Sequence, residues 1–248
     1  MKKIALGIST LAISTLMLGV SSCKKTDSKN NVVCKITSAV ATPTGGTPSS
    51  INFTYDNGKL SSVITTGSSA SSKNFSYSGN TINIIEKDGS GAIDNTKEIT
   101  LNSNNKIGTI TEKDPSGAIQ SIMTCYYDAS GDLQRTISIY SGGTPDTTDF
   151  IYSGGNLFSI KSPGSTSMTT LSYFTDKTWQ EGDYIKLIQF VDYGAFYILN
   201  KNLVKSLSYG SSTNDFSYEY NSAGRITKLT ITSGGIVSNT VTYSYDCP

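Results

Sequence analysis

The chain has no histidine, and no other feature of its composition removes as much chemistry. Nucleophile systems that use an imidazole as base, and metal sites built on its ring nitrogens, are excluded. Charge is scarce too. Only 16% of residues are Asp, Glu, Lys or Arg, and the lysines are dispersed along the chain, whereas a nucleic-acid surface needs a concentrated basic face. Long apolar runs are missing after Val20. Even the run from Ile4 to Val20 is broken by Ser9, Thr10, Ser14 and Thr15, and it falls short of the ~20 apolar residues of a membrane-spanning helix.

What the chain does have is tyrosine, glycine and a repeated hairpin. Fifteen tyrosines stand beside one tryptophan, and 23 glycines punctuate the sequence. In FSYEYNSAGRITKLTI, Phe216 to Ile231, the residues Phe216, Tyr218 and Tyr220 alternate with polar ones. Asn221 to Gly224 make the turn, and Ile226, Leu229 and Ile231 return. Period-two alternation on both sides of a turn is the pattern of a β-hairpin with one buried face. Aligning the turn-opening position gives copies at Tyr55, Tyr77, Leu101, Tyr127, Tyr152, Tyr173, Tyr197, Tyr220 and Tyr245, 21 to 26 residues apart, a repeat architecture. The pattern predicts an all-β fold, an antiparallel up-and-down meander of about 16 strands closed or nearly closed into a barrel. Residues 33–248 are expected to form this single domain. A barrel of that size leaves a wide interior, so its walls must touch, the sheet must stay open, or something must fill it. The tyrosines, at strand ends, are expected to pack their rings inward while their hydroxyls reach water.

The turns are built from turn chemistry. EKDGSGAI at 86–93 recurs as EKDPSGAI at 112–119, with proline where φ is fixed and glycine where φ turns positive. Asp88, Asp114, Asp128 and Asp132 lack the spacing of a calcium loop, which needs about six oxygens, so neither metal nor cofactor is expected.

Lys2 and Lys3, the apolar run and Val20-Ser21-Ser22-Cys23 form an export signal that resembles the lipobox of bacterial lipoproteins. Residues 1–22 are therefore expected to be a signal peptide, Cys23 to carry the lipid, and residues 23–32 to be a polar tether. Cleavage removes two lysines and no acid from 20 bases and 19 acids, leaving 18 against 19. Cys34, Cys125 and Cys247 remain, in a chain sent to a compartment where disulfides persist. A closed meander brings first and last strands together, which predicts a Cys34–Cys247 bridge with Cys125 a buried free thiol.

One segment breaks the alternation. Between Asp176 and Asn200, Tyr184, Leu187, Ile188 and Val191 recur at helical spacing, with Asp183 placed as N-cap and Gly194 as C-terminal stop. This predicts a short helical insert over 183–193 that buries Leu187 and Ile188. The segment also holds the single Trp179. Trp179, Glu181, Asp183, Tyr184 and Tyr193 are the candidate binding residues for a glycan or an apolar ligand. Glu181 and Asp183, beside Trp179, are the pair to consider for carboxylate glycan hydrolysis, but two acids by a helix start more commonly serve as a cap and a dipole partner, and no catalytic residue is assigned.

The hairpins YDNGKLSSV, YDASGDLQRT and YNSAGRITKL are similar to the YD repeats of bacterial surface and toxin proteins. From lipobox to terminal YSYDC, with LNKNLVKSL after the insert, the chain resembles a family of Gram-negative lipoproteins of unknown function with a porin-like fold. That resemblance implies an envelope protein lipid-anchored to the outer membrane, with the periplasmic face preferred. The expected function is that of a noncatalytic, monomeric binding or scaffold module. A carrier of an apolar ligand in the barrel lumen and a glycan hydrolase are the alternatives.

Overall fold

The computed structural model describes residues 34–67, 70–162, 164 and 168–247. The expected signal peptide, lipidation at Cys23 and tether all fall outside the described residues. Strands β1 (Lys35–Pro43), β2 (Ser49–Asp56), β3 (Lys59–Thr65), β4 (Ser71–Ser78), β5 (Thr81–Asp88), β6 (Ile93–Leu101), β7 (Ile107–Lys113), β8 (Ile119–Tyr127), β9 (Leu133–Tyr140), β10 (Asp146–Ser153), β11 (Asn156–Lys161) and β12 (Thr169–Thr178) come first. Helix α1 (Tyr184–Tyr193) follows, then β13 (Asn202–Tyr209), β14 (Ser212–Tyr220), β15 (Ile226–Ser233) and β16 (Ile236–Asp246). Each strand pairs antiparallel with its sequence neighbours and β1 pairs with β16, so the meander closes into a 16-stranded barrel.

Alternation decides which face is which. Phe53, Val63, Phe75, Ile84 and Ile99 point inward and are buried, while Thr54, Ser76 and Glu98, each next to one of them in sequence, point out. The outer wall carries the ion pairs Glu98–Lys113 at 3.6 Å, Arg135–Asp149 at 2.7 Å and Glu219–Lys228 at 2.8 Å. A membrane-spanning barrel puts an apolar band on that face. Here the inner face is mainly apolar and the outer face mainly polar, with Ile85, Tyr126, Ile139, Ile151 and Phe158 exposed among the polar residues outside.

The tyrosines do something the sequence did not suggest. Tyr55, Tyr77, Tyr127, Tyr173, Tyr218 and Tyr245 donate their hydroxyl protons to the carbonyls of Ile36, Leu60, Ile107, Leu157, Val204 and Ile226, at 2.6 to 2.9 Å. In each case the ring sits three residues beyond the last ladder pair and the carbonyl two residues before it, as with Ser62 opposite Asn74. The two strands part there, leaving a carbonyl without its ladder donor, and an unpaired buried carbonyl is costly. The tyrosine spans the gap. The expectation that these hydroxyls reach water is therefore corrected. One repeat assignment changes as well: Tyr197 lies in the loop after α1 and opens no hairpin. Tyr220 opens its turn opposite Ile226 as expected, but in β14 it is Tyr218 that spans the gap.

All these tyrosines line one rim. Seven of the eight strand pairs that meet there are joined by the chain, six by turns and β12–β13 by the insert of Trp179 to Lys201. The eighth pair, β1–β16, is joined by the Cys34–Cys247 disulfide, whose cysteines flank those strands and lie 213 residues apart in sequence. The bridge thus takes the place of the missing turn. Cys125 is free and buried.

Candidate functional site

The insert sits inside the tyrosine rim. Phe190 stacks on Phe53 and Tyr55 of β2, while Tyr184 stacks on Phe216 of β14, with centroids 4.8 to 6.3 Å apart. Further contacts run from β13, where Asp183 meets Val204, across to β4 and β6, where Asp192 meets Lys73 and Tyr193 meets Lys97, and make it a plug. Two glycines let it fit: a Cβ on Gly182 would lie 3.0 Å from Ile226, and one on Gly194 would lie 3.1 Å from the Phe75 ring. Gly194 also closes the helix in the left-handed conformation, its N–H donating to the Phe190 carbonyl.

Asp183 pins the plug. Its Oδ1 accepts from the N–H groups of Ile185 and Lys186, capping the helix, and from Trp179 Nε1 at 2.9 Å. Its Oδ2 accepts from Val204 N–H at 3.0 Å and from the Tyr218 hydroxyl at 3.2 Å. The residue is fully buried. Burial pushes its pKa up, and the hydrogen bonds from Val204, Trp179, Lys186 and Tyr218 oppose that rise. Gln189, also buried, clamps the far side of the loop by accepting from Tyr197 and Ile198 N–H and donating to the Ile198 carbonyl. Leu187 is buried as expected. Ile188 is 41% exposed, which corrects the expectation for it: the helix is packed on two flanks, so Leu187 and the polar Gln189, about 200° apart around the axis, are both buried while Ile188 between them faces out.

The candidate residues do not form one constellation. Trp179, Glu181 and Asp183 are together: Glu181 pairs with Lys186 at 2.8 Å, and the Lys186 ammonium lies 4.8 Å from the Trp179 ring centroid. Tyr184 faces Phe216 at the start of the helix. Tyr193 lies at its other end, edge-on to Tyr197 and beneath Lys97. There a stripe of charge crosses the inner wall, one residue per strand: Lys73, Glu86, Lys97 and Glu112, linked at 2.8 to 3.5 Å and tied to the helix through Lys73–Asp192 at 2.8 Å. Burial would raise Glu86, but the hydrogen bonds and charges of Lys97 and Lys73 outweigh it and hold the carboxyl below its usual range. The acids of the insert and stripe are thus occupied in holding the plug. Burial likewise pushes the Cys125 thiol to about 12, which keeps it protonated and inert.

Beside the plug lies a groove of about 420 Å³ whose walls include Tyr55, Tyr77, Phe190 and Phe196, with Lys59 and Asn105 at its polar margin. Sequence reasoning missed it, because its walls come from hairpins between Tyr55 and Asn105 and from α1 and the loop after it, Phe190 to Phe196, at least 85 residues further along the chain. The only local hint was a lysine soon after the turn, as in YDNGK. In the fold Lys59 lies 4.9 Å from the centroid of the Tyr77 ring. A larger hollow of about 640 Å³ on the outer wall, at Tyr126, Ile137 and Phe150, is shallower in chemistry: its charges, Arg135 and Asp149, are paired with each other.

The sequence matches no protein-family model and no curated protein. The fold does have relatives among solved structures. One is a porin-like protein from Bacteroides uniformis ATCC 8492, which superposes with a TM-score of 0.60 at 15% identity over 85% of this chain and 96% of that one. At that identity the likeness establishes the barrel architecture.

Proposed function

We propose that this porin-like barrel is a noncatalytic binding module of the cell envelope, lipid-anchored through Cys23 to the periplasmic face of the outer membrane, and that it engages a glycan in the groove beside the plug. The observation that carries the reading is the groove itself. Aromatic faces receive the apolar faces of sugar rings, while an ammonium and an amide at the margin serve hydroxyls. Hydrolysis is disfavoured because Asp183 already accepts five hydrogen bonds and Glu181 is paired with Lys186. The polar outer wall suits a tethered body in water better than a barrel within the bilayer.

Titration calorimetry with neutral and acidic oligosaccharides tests the groove. Phe196→Ala is expected to weaken binding about tenfold, a loss of about 1.4 kcal/mol, and Lys59→Gln less. Absence of binding to every saccharide, or variants indistinguishable from wild type, would remove the glycan. A lipid retained in native mass spectra would instead favour the apolar carrier, for which Leu60, Ile82 and Leu101 in the same groove are the supporting observation. Anchoring is tested separately. Cys23→Ala is expected to move the protein from the membrane to the soluble fraction, and unchanged fractionation would exclude the lipid.

A further inference from the structure

The two rims differ in polarity. At the rim opposite the plug, the hairpin tips or the residues beside them expose Ile64, Ile93, Ile119, Tyr140, Tyr209 and Ile236, each between 46% and 72% accessible. Near the tyrosine rim the comparably exposed apolar residues among those described, Tyr126, Ile151 and Phe158, are confined to β8, β10 and β11. Single exposed apolar side chains are ordinary. Recurrence on six of eight hairpins is different, because neighbouring hairpins stand about 10 Å apart and the tips form a discontinuous collar of several hundred square ångströms. That approaches the ~800 Å² each partner contributes to a standard interface.

We infer that this far rim is a self-association surface, on which a second copy of the chain docks rim to rim. Charge favours a copy of itself over a partner of one sign: Lys87 and Lys161 are interspersed with Asp88, Asp114 and Asp146 around the same tips, so a second copy related by a two-fold axis presents both signs to both signs. The same mixture gives no net attraction to an anionic lipid surface. Chain geometry adds to this. β1 starts at the tyrosine rim, so the residues before it attach there, and an anchor on them, if the proposed lipidation holds, leaves the far rim free. The association itself does not depend on that anchor, and it replaces the monomer expected from the sequence.

Sedimentation velocity on the full mature chain carrying Cys23→Ala, across about a hundredfold range of concentration, reads the result directly. A monomer–dimer equilibrium is expected. Ile119→Asp and Ile236→Asp should each shift it at least tenfold toward monomer with an unchanged thermal melt, whereas Ile188→Asp, on the plug, should leave it as it was. Monomer at every concentration overturns the inference, as does a dimer indifferent to both tip substitutions or sensitive to Ile188→Asp. Flotation with zwitterionic and anionic vesicles tests the competing occupant. A monomer that floats through Ile119 and Ile236 would assign the collar to lipid instead.

Discussion

Asp183→Ala is expected to lower stability by about 3 kcal/mol and to release the insert before the barrel unfolds. Loss of an N-cap alone costs about 1 kcal/mol. Here the same carboxylate also satisfies the Val204 N–H and Trp179 Nε1, and leaving a buried donor unpaired costs about 1 to 3 kcal/mol. Relief of the carboxylate's own desolvation offsets part of that sum. Asp183→Asn separates the contributions: the amide keeps one oxygen for the cap but presents an N–H to Val204, so it should fall between wild type and alanine. Urea unfolding gives the free energies, and hydrogen exchange over residues 184–201 shows whether the plug opens first. An alanine variant within experimental error of wild type, with the insert still protected, would mean that the aromatic stacks hold the plug and Asp183 does not.

Removing the Cys34–Cys247 bridge is the second large effect. A cross-link spanning 213 residues restricts the unfolded chain by about 5 kcal/mol on the chain-entropy model, and measured losses are often smaller. A double serine variant is therefore expected to lose roughly 3 to 5 kcal/mol, yet to fold, because the β1–β16 ladder runs from Lys35–Asp246 to Pro43–Asn239. Exchange should rise in β1 and β16 near the tyrosine rim and not at β7–β8, since the bridge replaces a turn at that one seam. Equal urea midpoints for the oxidised and serine forms would contradict this. Cys125 gives an internal control: buried and protonated, it should resist alkylation in both folded forms and react in urea.

How much of this was legible in the sequence depends on how local the cause is. Strand alternation, turn residues, the Asp183 cap and the Gly194 stop act over a few residues, and each stands in the fold where its local chemistry put it. The repeat count implied the strand number, and closure implied the disulfide, because an up-and-down meander leaves only its first and last strands unpaired. The tyrosine hydroxyls show where this reasoning stops. Their positions were periodic, but their partners are carbonyls on a neighbouring strand, bared by a divergence that only the register of the closed sheet creates. Tyr197 shows the reverse failure: spacing alone made it a repeat, although the chain around it had already been diverted into the plug.

By itself, then, the sequence determined the class of fold, the approximate strand number and the presence of one helix, since period-two burial, turn chemistry and cap chemistry are properties of neighbouring residues; full closure, on which the expected bridge depended, was left open until β1 was seen to pair with β16. Only the tertiary structure decided that the helix fills a mouth of the barrel, that Asp183 is consumed by five donors, and that Tyr55, Tyr77, Phe190 and Phe196 enclose a groove. Those outcomes depend on which inward side chains meet across a lumen, and residues far apart in the chain carry no sequence mark of meeting there.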